Sequence, residues 1–324
     1  MSQPLVSILI PCRDAEPWLE ATLRSALGQS CKECEVIVVD DGSTDRSAEI
    51  ARRYAVDGVQ LVQQAGSGAA AARNTALRLA RGAFLQYLDA DDLLDAQKIA
   101  VQLERLARAP ARSVAAGAWV RFTGEPNDDP IPDDPLWRDS APLDWLVRCW
   151  DAGGMMHPAA WLTPREVAER AGPWNEALSL DDDGEYFCRV LLASAGMVFC
   201  REARSFYRTH AGGSLSHAKT LRAWQSSHEM RRLVESEALA AEDSPRVRHA
   251  CAMNHLQFAF AAWPYREARE LARESLKRAR RLDPQAQIPK AGPRFSALAR
   301  IVGWRLARRI QGWRLPKTGG ERPV

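Results

Sequence analysis

Nowhere among the 324 residues is there a run of about eighteen apolar side chains, so no membrane-crossing helix is expected. The opening residues, MSQPLVSILIPCRD, lack a basic segment followed by a long apolar stretch. A secretory leader is therefore not expected either. Cysteine is scarce, with seven residues at irregular spacings that outline no disulfide framework. Reduced thiols in a cytoplasmic setting are the expectation. Cys31 and Cys34 form one Cys-x-x-Cys, but no second Cys or His pair completes a zinc site. No internal repeat is evident. One long stretch, residues 290–317, contains no acid at all.

What is present is the balance of a folding chain, 46% hydrophobic and 26% charged. The net charge of +3 conceals a division. Through residue 216 there are 22 basic against 31 acidic residues, and from 217 onward 22 against 10. An acidic body (1–216) is thus expected to carry a basic helical C-terminal region (217–324).

Residues 5–10 (LVSILI) read as a buried strand ended by Pro11, and Val36–Val39 as a second. Third and fourth strands are expected over 59–62 and 83–88. Apolar residues at helical spacing place helices at 17–29 and 45–54, the latter capped by Ser43 or Thr44, and at 69–81. This rhythm is that of an α/β fold with a mostly parallel sheet covered on both faces. Further helices are expected at 143–150, 164–171 and 185–195, with a short strand at 197–200. Residues 124–142 are rich in Pro and Asp and read as a loop.

The carboxylates fall at informative places. Asp40 and Asp41 follow one strand, while Asp89, Asp91 and Asp92 follow another. In open α/β sheets ligands bind beyond the carboxyl ends of strands, so both clusters should face one crevice. Carboxylates this crowded repel one another, and a cation or open solvent relieves them. Hard divalent ions such as Mg2+ take oxygen from one or two carboxylates plus substrate phosphates. Gly66-Ser67-Gly68-Ala69-Ala70-Ala71 satisfies a loose dinucleotide fingerprint, but it follows the third strand instead of the first. A dehydrogenase is therefore not expected. The first strand also lacks the Gly-rich loop that opens sugar-nucleotide pyrophosphorylases.

Four segments occur in a telling order: VSILIPCRDAEPWLEATLRSALGQS, EVIVVDDGSTDRS, AGSGAAAARNTAL and GAFLQYLDADD. Together they resemble the family 2 glycosyltransferases, nucleotide-sugar enzymes of the GT-A fold, across about residues 5–215. The resemblance implies that Pro11 lies beside the nucleotide and that Asp41, partnered by Asp40, hydrogen-bonds the base. Gly68, Arg73 and Asn74 would shape the donor pocket, with Arg73 also bracing the acidic cluster. Asp89 and Asp91 match the Asp-x-Asp motif, with Asp91 the more direct ligand of Mg2+ or Mn2+. His210, in FYRTH, matches a histidine placed by the diphosphate or the metal.

A later segment, AGPWNEALSLDDDGEYFCRVLLASAG, resembles the acceptor side of the same family. There Asp183 would be the general base, flanked by Asp182, Glu185 and Arg189. One carboxylate near the nucleophile is what an inverting transfer needs. His157 falls near the expected acceptor region. Trp174 could stack on an acceptor sugar, or, following Pro173, pack in the core. Relatives often carry Tyr-Asn where this chain has Arg13-Asp14, which leaves the base unassigned.

The resemblance thus implies transfer of one sugar from a nucleoside diphosphate sugar to a saccharide or lipid-linked acceptor of the cell envelope. The processive signature Gln-x-x-Arg-Trp is absent. A catalytically silent nucleotide-sugar-binding or assembly protein of the same fold is the alternative. On a helix across 290–317, Phe295, Leu298, Val302, Leu306, Ile310 and Trp313 would line one side. Arg300, Arg308 and Arg314 would point away from it. Such a basic amphipathic helix suits the inner face of an anionic membrane, or simply packs on the enzyme. Nucleic acid is not an expected partner.

Overall fold

A computed structural model of the chain describes residues 5–126, 131, 133–154, 156–210, 219–288 and 292–313. Eight strands form one sheet: β1 (Val6–Cys12), β2 (Cys34–Asp40), β3 (Val59–Gln63), β4 (Phe84–Tyr87), β5 (Leu93–Leu94), β6 (Val114–Phe122), β7 (Trp161–Pro164) and β8 (Met197–Arg208). Their order across the sheet is β3-β2-β1-β4-β7-β6-β8-β5. The pairings among β1, β2, β3 and β4 are parallel, as is that of β6 with β8, whereas β7 runs antiparallel to both neighbours and β5 to β8.

Alternating side chains of the central strands feed two cores. Ile8, Ile10, Val36 and Val38 meet α1 (Leu19–Leu27), α2 (Ser47–Arg53) and α4 (Lys98–Ala107). Leu9, Ile37 and Val39 face the other way, toward α3 (Ala69–Leu79), α5 (Pro142–Ala152), α6 (Arg165–Ala171) and α7 (Asp182–Ala193). Burial on both faces is why these strands read as continuous apolar runs.

The first strand continues through Pro11 to Cys12 instead of ending there. The carbonyl of Leu9 accepts from Leu88 and that of Cys12 from Asp41, so alternate residues address opposite neighbours. Pro11 addresses the side where β4 has already ended, and its missing N–H costs no ladder bond. The second helix is not capped by Ser43 or Thr44. Asp45 accepts from the Ser47 N–H at 2.9 Å, while Ser43 Oγ is engaged by the Asp14 N–H at 3.0 Å.

Strands β5, β6 and β7 and helix α4 have no counterpart in the sequence expectations, and β8 runs to Arg208 where a strand ending at 200 was expected. Where β6 shifts register against β8, Gly117 lies against Ala203. A Cβ there would sit 1.9 Å from the Ala203 carbonyl oxygen, so only glycine fits.

Beyond residue 217 come α8 (Leu221–Ala241), α9 (Pro245–Ala262), α10 (Arg269–Leu282) and α11 (Pro293–Trp313). Met230, Val234, Ala238, Val247, Ala250 and Cys251 belong to the same apolar cluster as Trp161 and Phe187, so α8 and α9 complete the core on that face of the sheet. Among the described residues no helix is long and apolar enough to cross a membrane.

Helix α11 departs from the expected stripe. Gly303 takes φ +77° and breaks the helix in two, rotating its second half. Phe295, Trp304, Ala307 and Arg308 therefore face the body, with Phe295 and Trp304 against Phe260 and Arg308 donating to the Phe260 carbonyl at 3.0 Å. Val302 and Leu306, expected on the buried side, are exposed together with Ile301. Arg314 lies outside the described residues.

Candidate active site

The carboxyl ends of β1, β2 and β4 set the floor of the site. Asp40 and Asp41 leave β2 buried. Asp40 accepts from the Ser43 N–H at 3.1 Å and from Gln63 Nε2 at 3.1 Å. Asp41 accepts from the N–H groups of Ser67 and Gly68, each at 2.8 Å, and from Gln64 Nε2 at 2.7 Å. It thereby pins the loop entering α3, where Gly68 adopts φ +100°. Arg13 lies across this corner, its guanidinium 4.0 Å from Asp41.

Two acidic clusters meet through one arginine. Arg73, on α3 and 6% exposed, donates to Asp89 at 2.8 Å and to Asp182 at 2.7 Å. Its guanidinium stands 4.5 Å over the Trp174 ring. Burial raises the Asp182 carboxyl above its usual range, with the Arg73 cation opposing. Asp183, next on the first turn of α7, is driven up to about 7 by burial and by the charges of Asp182 and Asp181. That value suits a general base at neutral pH, since efficiency peaks when the catalytic pKa lies near working pH.

The loop after β4 is held by residues that sequence reasoning passed over. Thr22 Oγ1 donates to the carbonyls of Ala90 at 2.9 Å and Asp92 at 3.0 Å. Arg208 donates through Nε to the Asp91 carbonyl and through its backbone N–H to the Asp92 carboxylate, both at 2.8 Å. No local signal marks Thr22. Arg208 stands two residues before His210, a proximity that could have drawn attention to it.

His210 Nε2 lies 2.6 Å from Asp91, with the Trp18 ring 4.3 Å from its own. Burial and Asp89 raise the Asp91 carboxyl, and His210 opposes the shift. Among the described residues no group of three His, Cys, Asp or Glu side chains is gathered closely enough to hold a metal ion. The expected set of Asp89, Asp91 and His210 is not assembled as such, because Asp89 is committed to Arg73. Asp91 and His210 remain an oxygen and a nitrogen donor, which suits an ion completing its shell with diphosphate oxygens and water. To that extent the residues fit a divalent metal.

Several expected contacts lie elsewhere. His157 is buried beneath the site, with Nδ1 3.1 Å from Asp92 and Nε2 2.9 Å from Ser205. Burial lowers its pKa to about 3, so it is a neutral prop for Asp92 and no acceptor contact. Trp174 is 1% exposed and stacks on Tyr186 at 4.0 Å, which leaves no face for a sugar. Asn74 holds the backbone of Trp174, accepting at 2.8 Å and donating at 2.9 Å, and also donates to Glu176 at 2.8 Å. Glu185 and Arg189 pair at 2.6 Å, and Arg189 also donates to the carbonyls of Ala171 and Pro173. They brace α7 against the end of α6 and do not reach outward to an acceptor.

Residues 7–170 match the description of Glycosyl transferase family 2. The chain is 35% identical over 109 residues to WfgD of Escherichia coli, a UDP-Glc:alpha-D-GlcNAc-diphosphoundecaprenol beta-1,3-glucosyltransferase, covering 33% of this chain and 43% of that one. The matches span 26%, 60% and 42% of the lengths of the first three curated relatives. Staphylococcus aureus TarS, solved with UDP-GlcNAc, superimposes with a TM-score of 0.70 at 18% identity, over 96% of this chain and 89% of that one. The mannosyltransferase PcManGT of Pyrobaculum calidifontis, solved with GDP-Man and Mn2+, gives 0.57 at 20% identity, over 97% and 88%. The fold is that of these GT-A proteins.

Proposed function

Because the chain belongs to glycosyl transferase family 2, we propose that it moves one sugar from a nucleoside diphosphate sugar to an acceptor hydroxyl with inversion. The observation that carries this is the Arg73 bridge, which joins Asp89 to Asp182, the neighbour of Asp183, through one buried guanidinium. Asp183 is the general base: it takes the proton of the acceptor hydroxyl as that oxygen attacks the anomeric carbon. The diphosphate departs from the opposite face of the sugar. Asp91 and His210 would hold Mg2+ or Mn2+, which when bound neutralises the negative charge of the diphosphate. Asp41 and the loop it fixes would shelter the base. The donors bound by TarS and PcManGT support a nucleoside diphosphate sugar, and the Mn2+ in the latter supports the metal.

The acceptor class is a saccharide or a lipid-linked saccharide, a reading that the GlcNAc-diphosphoundecaprenol acceptor of WfgD supports. The setting that follows is the cytoplasm, peripherally at the inner face of the membrane. Ile301, Val302 and Leu306 stand exposed on α11 among Arg300, Arg305 and Arg309. Apolar side chains ringed by cations suit an anionic lipid surface. The catalytically silent alternative is disfavoured by the joint retention of the Asp89-x-Asp91 motif, the Asp182–Asp183 pair and His210, more than nucleotide-sugar binding alone requires.

The deciding experiment is a panel of nucleotide sugars read by thermal shift with and without Mn2+. A ligand that binds only the folded state raises its apparent stability. Stabilisation by one donor in a metal-dependent manner, followed by release of its nucleotide on adding acceptor, is the expected result. Stabilisation without turnover on any acceptor would leave the silent reading standing.

A further inference from the structure

Asp181 has a left-handed backbone, φ +59° and ψ 23°, and is one of three non-glycine residues with positive φ among those described. The left-handed region is uncommon for a residue with a side chain, aspartate and asparagine being the ones that tolerate it best. Asp181 sits immediately before α7, where an aspartate ordinarily caps its own helix. Here the side chain makes no capping bond. Its carboxylate turns away to α8, accepting from Ser227 Oγ at 2.6 Å and from Arg231 Nη1 at 3.2 Å.

The same turn of α8 grips the two preceding residues. Ser226 Oγ accepts from the N–H groups of Ser179 and Leu180, each at 2.9 Å, and donates to the Leu180 carbonyl at 2.7 Å. Arg231 is itself fixed, donating to the carbonyls of Ser227 at 2.7 Å and Asn254 at 3.3 Å and lying 5.1 Å over the Phe258 ring. One turn further along, Met230 packs against Gly184. Asp183 is thus flanked on both sides by residues resting on α8. The direction in which α7 leaves Asp181 decides where the Asp183 carboxylate points.

We propose that Asp181, latched by Ser227 and Arg231, is a positioning residue for Asp183, so that α8 aims and tunes the base. This rests on the reading of Asp183 as that base. The charged and titratable groups facing Asp183 are Asp181 and Asp182 on its own segment, Arg73 from α3 and Cys149 from α5. Asp181 is the member of that group whose charge the helical region controls. Arg231 offsets it, and an unoffset Asp181 would press harder on its neighbour.

The test is a carboxyl titration of the free, full-length protein by carbon-13 NMR with labelled aspartate. The Asp183 signal is identified by its loss in Asp183→Asn. Asp181→Asn keeps a residue that tolerates the left-handed region and removes the charge, and the Asp183 midpoint should fall by about half a unit or more. Arg231→Gln should raise it, and Arg231→Lys should return it toward the wild-type value. Opposite shifts are not produced by general loosening of the fold. Either folded variant alone is decisive by the sign of its shift. An unmoved midpoint, or shifts of the same sign, would overturn the proposal. Because no substrate is present, the failure of Asp183 as a base in turnover would be seen separately, as activity surviving in Asp183→Asn.

Discussion

Arg73 reaches Asp182 across 109 positions of sequence, at 2.7 Å, while its second terminal nitrogen holds Asp89. One buried guanidinium thus joins the carboxylates that follow β4 to those that open α7. Removing it leaves two crowded carboxylates without their cation. Breaking a buried pair on one side costs about 3–5 kcal/mol. Arg73→Met is therefore expected to lower stability by that order in urea unfolding and to remove turnover. Arg73→Lys offers a point charge in place of the two-pronged fork, and should recover stability better than activity.

Turnover should depend on pH in one direction. As the proposed base, Asp183 must be deprotonated to act, and burial with its acidic neighbours holds it at about 7. The rate is expected to rise through that region and level off above it. In Asp183→Asn the rate should fall by about 100-fold or more. The measurement is initial rate against pH in wild type and variant.

Metal dependence should reside in Asp91 and His210. In Asp91→Asn with His210→Ala, the additional thermal stabilisation that Mn2+ brings to a bound nucleoside diphosphate should vanish. The metal-independent part of the shift should survive, because Asp41 and its loop are untouched. An undiminished Mn2+ effect in the double variant would place the metal elsewhere.

Trp174 should behave as core. Trp174→Ala is expected to cost about 3–5 kcal/mol in chemical denaturation, the range for truncating a buried aromatic. In whatever fraction stays folded, the acceptor KM should hold near wild type. A selective rise in acceptor KM with stability intact would restore the stacking role.

Glu235 gives the helical region a defined acid sensitivity. Burial works against its charge, but hydrogen bonds from His255 and Arg278 outweigh this and hold it down at about 2. A carboxyl depressed in the folded state stabilises above its unfolded value, here 4.5, and loses that contribution as pH falls toward 2. The stability gap between wild type and Glu235→Gln should accordingly be full at pH 6 and narrow below about 4.5. Thermal unfolding across that window reads it.

The parts of this architecture legible in the sequence share one property, local repetition. Strands β1 and β2 are β-branched runs with both faces buried, and the helices after them carry apolar residues at regular spacing. Strand β6 reads VAAGAWVRF, whose alanines carry little strand preference, and it escaped notice. The middle of β8, Arg201 and Glu202, is exposed and charged, which hid the continuity of that strand. The acidic motifs were visible because their residues are adjacent. Trp174 and His157 misled because a lone aromatic or imidazole looks the same in sequence whether it faces a ligand or a core. Thr22, Ser227 and Arg231 were out of reach, since their roles exist only through contacts 46 to 70 positions away.

The latch on Asp181 also has a consequence in time. A chain is synthesised from its N-terminus, and the sheet with both acidic clusters emerges before α8 does. Until Ser227 and Arg231 have left the ribosome and docked, the hydrogen bonds that hold the Asp181 carboxylate to α8 are absent. A growing chain can therefore present the nucleotide-facing loops while still lacking an oriented base. On the proposed reading, the base is oriented only once a later segment arrives, one that carries none of the reacting groups.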